Sequence, residues 1–442
     1  MFALTADLIP LYALYALLFA DHGLSIAQIS SLLAIWSTTS FVLEVPSGAW
    51  ADTVSRRGLL VLSGVLLFAG FTAWTVFPSY AGFALGFVLW GTSGALRSGT
   101  FEALIYDELA AHRATGSYVR IMGRARAAAE IAALLGILAA APLFAWGGYA
   151  LVGWASVVVA LVHTLTALTL PSAPKAVSAA DVDDLDDADL EELPPRHSGA
   201  LLAGIHSDGS SADCVDPGQK HAGMTGWRYV HMLRSGLREA LRVRLIRRGL
   251  ILAALLNGIT AYDEYFALLA GDAGVSPWVA AILVGVTVAG AAAGALLADR
   301  TDGMRPRTMA LALAVGGFLF IGGALLSGLA AQHPHAVYVL TAVGFTAIGI
   351  AYGIDYNAET IAGARLQDAI EGPARATVTS VSGLLTEVIA FAVFGFVALA
   401  SLWISIPVMV ALLGVPFLLT AALFPAWLPA RKEEAPTPLT AG

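Results

Sequence analysis

Charged side chains stranded inside long apolar stretches are the residues of this sequence with chemistry to offer. Asp7, Glu44, Arg97, Glu102 and Glu130 lie in the first 170 residues, and Asp263, Glu264, Asp355, Glu359 and Glu387 lie beyond residue 245. A charge at the centre of a bilayer costs at least about 2.5–3.5 kcal/mol on insertion scales, so such residues persist where they face one another or a water-filled cavity. A carboxyl group in these surroundings can take up and release a proton. A cationic solute competing for the same oxygens would give exchange of solute for proton. The plainer reading of each acid is a staple between helices.

Arg97 is the basic residue deepest in an apolar stretch. Glu102 follows five residues later, about 140° around a helix, which is poor geometry for a pair. Arg97 is therefore expected to meet an acid on another helix, with Glu44 and Glu130 as candidates. It also offers a contact to an anionic solute. Asn357, between Asp355 and Glu359, is a further polar candidate. Tyr12, Tyr15, Trp36, Trp90, Tyr262, Tyr265, Phe266, Tyr352 and Tyr356 supply aromatic surface for a ligand or for packing.

The elements that position these residues follow from composition. Of 442 residues, 58% are hydrophobic and 13% charged, with mean hydropathy +0.76. A soluble protein carries about 25% charged residues. Spans of roughly 20 apolar residues are what a bilayer demands. They are expected near 3–20, 26–50, 58–77, 80–109, 120–142 and 147–170, then near 246–270, 277–298, 308–329, 336–364, 374–398 and 401–428. The fold class is thus an all-α membrane protein of twelve transmembrane helices.

Arg56, Arg57, Arg113, Arg120, Arg300, Arg305, Arg307, Arg431 and Lys432 fall in alternate loops or the tail, which places both termini in the cytoplasm. Residues 1–170 and 246–430 form two six-helix halves. Between them, 171–245 reads as a cytoplasmic loop with an acidic, disordered run at 181–192 and a basic amphipathic helix at 227–248; 431–442 is a cytoplasmic tail. Met1 to Asp7 lack the basic region of a cleavable signal. One cysteine, Cys214, excludes an internal disulfide. The scattered histidines and the lack of nucleotide-loop, zinc or nucleophile motifs give no cofactor, no metal and no enzyme reading. No basic surplus points to nucleic acid. Abundant Ala, Gly and Arg with only three lysines is typical of a GC-rich bacterial genome, so the inner membrane is the expected location.

The halves repeat. Asp7 and Glu264 are 257 residues apart, as are Glu102 and Glu359, and Glu130 and Glu387. Duplicated six-helix halves are a transporter plan. Between spans two and three stands Gly48-Ala49-Trp50-Ala51-Asp52-Thr53-Val54-Ser55-Arg56-Arg57-Gly58. This resembles the signature loop of the major facilitator superfamily, and the resemblance extends over nearly the whole chain outside the central loop. Ser98 to Ala103 and Glu371 to Val378 are similar to an exporter-like branch, although span five, Arg124 to Glu130, lacks that branch's Gly-Pro motif.

The resemblance implies two pseudo-symmetric bundles, alternating access, a monomer, and a cytoplasmic gate built from Gly48, Asp52, Arg56, Arg57, Asp107 and Arg124. In that gate Arg56 or Arg57 would pair with Asp107 when the site faces outward and part when it faces inward. It also implies a small-molecule substrate and protons as partners within the lipid bilayer. Three functions stay open: proton-coupled export of small amphipathic molecules, proton-coupled import of a polar or anionic solute through Arg97, and a non-transporting sensor.

Overall fold

A computed structural model describes residues 1–114, 117–171, 244–369 and 375–430. The acidic run, Cys214, the basic stretch before Arg244, the tail from 431, and 370–374 ahead of span eleven lie outside the described residues. Among the described residues every regular element is helical. The first half comprises α1 (Phe2–Ala6), α2 (Tyr15–Asp21), α3 (Ile26–Thr53), α4 (Arg56–Val76), α5 (Tyr80–Arg97), α6 (Thr100–Ala111) and α7 (Tyr118–Leu168). The second comprises α8 (Arg244–Ile259), α9 (Phe266–Asp272), α10 (Pro277–Thr301), α11 (Pro306–Ala330), α12 (Val337–Ala369), α13 (Arg375–Ala400), α14 (Ile406–Leu412) and α15 (Val415–Trp427).

Among the described residues, eight helical stretches are long and apolar enough to cross a membrane. One of them, α7, is two spans, because the backbone leaves helical geometry at Gly147 and Gly148. Spans one, four and seven complete the twelve, and each is an interrupted helix rather than the continuous one the hydropathy implies. Span one is α1, a 3-10 turn at Pro10–Ala13, and α2; span seven is α8, a 3-10 turn at Thr260–Tyr265, and α9. Span four is α5 followed by α6.

Local chemistry accounts for these boundaries. Ser25 opens α3 with a capping box: its hydroxyl accepts from Gln28 N at 3.3 Å while its own N–H donates to Gln28 Oε1 at 2.9 Å. Ser55 and Ser79 cap α4 and α5 with the hydroxyl alone, which accepts from the Gly58 and Gly82 N–H groups. At the first break Pro10 has no N–H to offer, and the freed Leu11 N–H donates to Ser156 Oγ at 3.0 Å. At span four Gly99 takes φ +71°, a left-handed value that favours glycine, and α6 departs from the line of α5.

Packing holds each half together and joins the two. Phe19, Phe71, Trp74, Phe83 and Phe87 fill the first half, and Tyr262, Phe266, Phe320, Phe345 and Phe417 the second. α10 and α12 approach backbone to backbone, where a Cβ at Gly290 or Gly294 would run into the Gly349 or Gly353 carbonyl. Between halves α10 packs on α7 and α13 on α3. The end bearing the Gly23 and Gly274 turns is closed: Ser30 Oγ meets Tyr265 OH at 2.9 Å, and Leu17 lies against Gly271. At the other end, which bears the Arg56 loop, Glu44, Glu102, Arg124, Arg126 and Glu130 are exposed.

Candidate functional site

The paired breaks in spans one and seven bring charged side chains to a common depth between the halves. They border a central cavity of about 370 Å³. The first half contributes Asp7, Tyr12, Tyr15, Trp36, Trp90 and Arg97, and the second Asp263, Glu264 and Phe266. Aromatic rings make a layered wall: Tyr12 stacks on Trp90 with centroids 5.1 Å apart, and Trp90 on Trp36 at 5.1 Å. The Tyr15 hydroxyl is buried with no hydrogen-bond partner.

The charges on this cavity are not balanced. Arg97 Nη1 lies 3.5 Å from Asp7 Oδ2, so its partner is Asp7 and neither Glu44 nor Glu130 as the helix arithmetic proposed. The arithmetic lacked the break at Asp7, which turns that carboxylate toward span four. Asp263 Oδ2 accepts from Tyr352 OH at 2.6 Å. Glu264 has no hydrogen-bond or ion-pair partner among the described residues. One guanidinium therefore faces three carboxyl groups, one of which it already holds.

The remaining acids are elsewhere. Glu44 is exposed and accepts from Ser98 Oγ at 2.8 Å. Glu102 lines a second cavity, about 750 Å³, that lies within the first half between spans one, four and five and shares Asp7, Gly94 and Arg97 with the central one. Glu130 is exposed at the Arg56 end. Glu359 accepts from Asn257 Nδ2 at 2.6 Å, and Glu387 from Ser37 across the halves. Asn357, the polar candidate, clasps span eight through Thr301 Oγ1 and the Gly294 carbonyl. Asp355 is fully buried behind the cavity wall and accepts from Tyr262 OH at 3.0 Å. Of the residues that recur at the 257-residue offset, Asp7 and Glu264 meet at the central cavity, Glu102 shares the second cavity with Asp7, and Glu359, Glu130 and Glu387 line neither.

In the signature loop Arg56 is ion-paired with Asp107, and Arg57 donates to the Leu168 carbonyl. Gly48 and Asp52 lie in α3, with side-chain positions outside the described residues; Arg124 is exposed. The Arg56–Asp107 pair joins two elements of the same half.

The second half has a matching brace that the sequence reading missed. Arg365 Nε donates to Asp302 Oδ1 at 3.1 Å. Here the loop supplies the acid and the span the base, the reverse of Arg56 and Asp107. The legible signal was a basic residue near the end of span ten with an acid in the corresponding turn. Thr5, bonded to the buried His163 Nδ1 at 3.1 Å, was also missed. Among the described residues no group of His, Cys, Asp and Glu side chains has metal-holding geometry.

Twelve spans in two related halves around one central cavity define a secondary-transporter architecture. Residues 1–365 match the sequence profile of the Major Facilitator Superfamily, and the chain belongs to that family. It is accordingly a transporter and not an enzyme. A comparison with curated proteins gives no match. Solved structures share the fold: a D-xylose-proton symporter (15% identity, TM-score 0.65, covering 97% of this chain and 95% of that one), the nucleoside transporter NupG (11%, 0.65, 97% and 96%), and an auto-inhibited POT family peptide transporter (14%, 0.65, 96% and 95%).

Proposed function

We propose that the protein is a proton-coupled antiporter that exports small amphipathic organic cations. One observation carries this reading: Arg97 is matched by Asp7, so Asp263 and Glu264 leave the central cavity acidic opposite an aromatic wall. A cation over the face of Trp or Tyr gains about 0.5–1 kcal/mol at exposed sites and about 2 when desolvated. A flat cationic molecule can stack on Tyr12, Trp36 and Trp90 while its charge approaches Glu264. An anion would meet uncompensated carboxylates and an arginine already paired. The cavity volume suits a ligand of drug size. The positive-inside rule turns the open, arginine-bearing end to the cytoplasm, so the conformation is the one that loads from inside a bacterial inner membrane. Protons arriving from outside would drive release of the cation, and one copy of the chain suffices for the cycle.

The test is reconstitution in liposomes with pyranine inside and an imposed proton gradient. Ethidium is expected to evoke proton movement in the opposite sense to its own, and salicylate, an aromatic anion, to evoke none. Proton movement driven by salicylate and not by ethidium would replace this reading with anion transport through Arg97.

A further inference from the structure

Behind the acidic wall lies a carboxyl group that no substrate reaches. Asp355 is fully buried in α12, its Oδ2 takes a hydrogen bond from Tyr262 at 3.0 Å, and its Oδ1 has no partner among the described residues. The groups around it are few and mostly neutral. From span seven come Tyr262 and Asp263, and from its own helix Tyr352, Tyr356 and, one turn on, Glu359. Spans eight and nine turn glycines toward span ten at Gly290, Gly294 and Gly316, and span twelve sets Phe417 against Tyr262. An ionised carboxylate with one phenol as donor and an orphaned oxygen is costly there, whereas the carboxylic acid places its O–H on that oxygen and keeps the phenol bond.

We propose that Asp355 holds the coupling proton, and that substrate acts on it through Tyr262 without touching it. This rests on the antiport reading above and assigns its two cargoes to different residues. The link is mechanical. Tyr262, Asp263 and Glu264 belong to one six-residue 3-10 turn, Thr260–Tyr265. Tyr262 faces Asp355, while Asp263 and Glu264 border the cavity. A cation drawing Asp263 and Glu264 toward it pulls the same turn and lifts the Tyr262 hydroxyl from Asp355. Water then reaches the acid, its O–H bond breaks heterolytically, the proton leaves as hydronium, and the carboxylate stays behind. Tyr352, which donates to Asp263 at 2.6 Å from the helix that carries Asp355, opposes this movement.

Infrared spectroscopy of the purified full-length protein at neutral pH is the test. A protonated-carboxyl C=O band is expected that Asp355→Asn removes and Asp263→Asn retains. Tyr262→Phe, which removes one hydroxyl, should keep the band and shift it to higher frequency, so the assignment survives should the asparagine variant fold poorly. Ethidium added to wild type in weak buffer should release protons to pyranine. Asp355→Asn should bind ethidium within about threefold of wild type and release none. A band untouched by Asp355→Asn, or proton release unchanged in that variant, overturns the proposal. A wild type that shows the Asp355 band but binds no ethidium refutes the antiport reading and leaves the proton assignment standing.

Discussion

Spans four and ten hold corresponding places in the two halves and are built differently. Span four breaks at Gly99, carries Arg97 just before the break, and borders the 750 Å³ cavity. Span ten runs unbroken from Val337 to Ala369, pressed on span eight at Gly290 and Gly294, with Asp355 near the place of Arg97 and Glu359 matching Glu102. The first half thus answers its own charge, Arg97 to Asp7, and the second leaves Asp263 and Glu264 toward the cavity. The two halves share one scaffold and differ at the cavity, with aromatic surface and an ion pair on one side and carboxyl groups on the other.

The sharpest way to break this division is to reverse its charge. Glu264→Arg should lower ethidium transport by at least about 100-fold, as expected when a like charge replaces an attractive one near a desolvated cation. Uptake into proteoliposomes reads this directly. A smaller effect separates the two helices themselves. Gly294→Ala forces a methyl into the Gly353 carbonyl and should cost about 1–3 kcal/mol, seen as a lower Tm in detergent. Gly94→Ala in span four meets open space and should cost less than about 0.5 kcal/mol.

Arg97→Gln should weaken stability by only about 1 kcal/mol, because Arg97 and Asp7 are partly exposed to the cavity and solvent screens their attraction. Adding Asp7→Asn to it should restore most of that loss in a chemical-denaturation series. Gly99→Ala strains a left-handed residue by about 1 kcal/mol. It should slow turnover with little change in the ethidium concentration for half-maximal rate.

Much of the scaffold was legible because a bilayer leaves so few options. Twelve apolar runs and alternating arginine loops are each local signals. The pairing with Asp107 was legible through the resemblance of the loop, which left Arg56 and Arg57 as alternatives, and it is Arg56 that makes it. What escaped was everything set by helix breaks. Hydropathy sees Thr260–Tyr265 as ordinary span residues, and Pro10 shows that span one can bend but not which way, so the rotation that gives Arg97 to Asp7 had no trace in spacing. The constant 257-residue offset pointed equally at three acid pairs, yet burial and partners separate them: Asp7 and Glu264 reach the cavity, whereas Asn257 and Ser37 engage Glu359 and Glu387. The Asp302–Arg365 brace was hidden because its polarity is reversed, which no motif match tolerates.

Ethidium binding to two purified double variants, followed by fluorescence, tests the division of charge most directly. Arg97→Gln with Asp7→Asn removes a neutral pair and should leave Kd within about threefold of wild type. Asp263→Asn with Glu264→Gln removes the acid wall and should weaken binding by at least about 100-fold, or roughly 2.7 kcal/mol. The reverse order, with the first variant crippled and the second unaffected, would contradict the account and return the substrate site to Arg97.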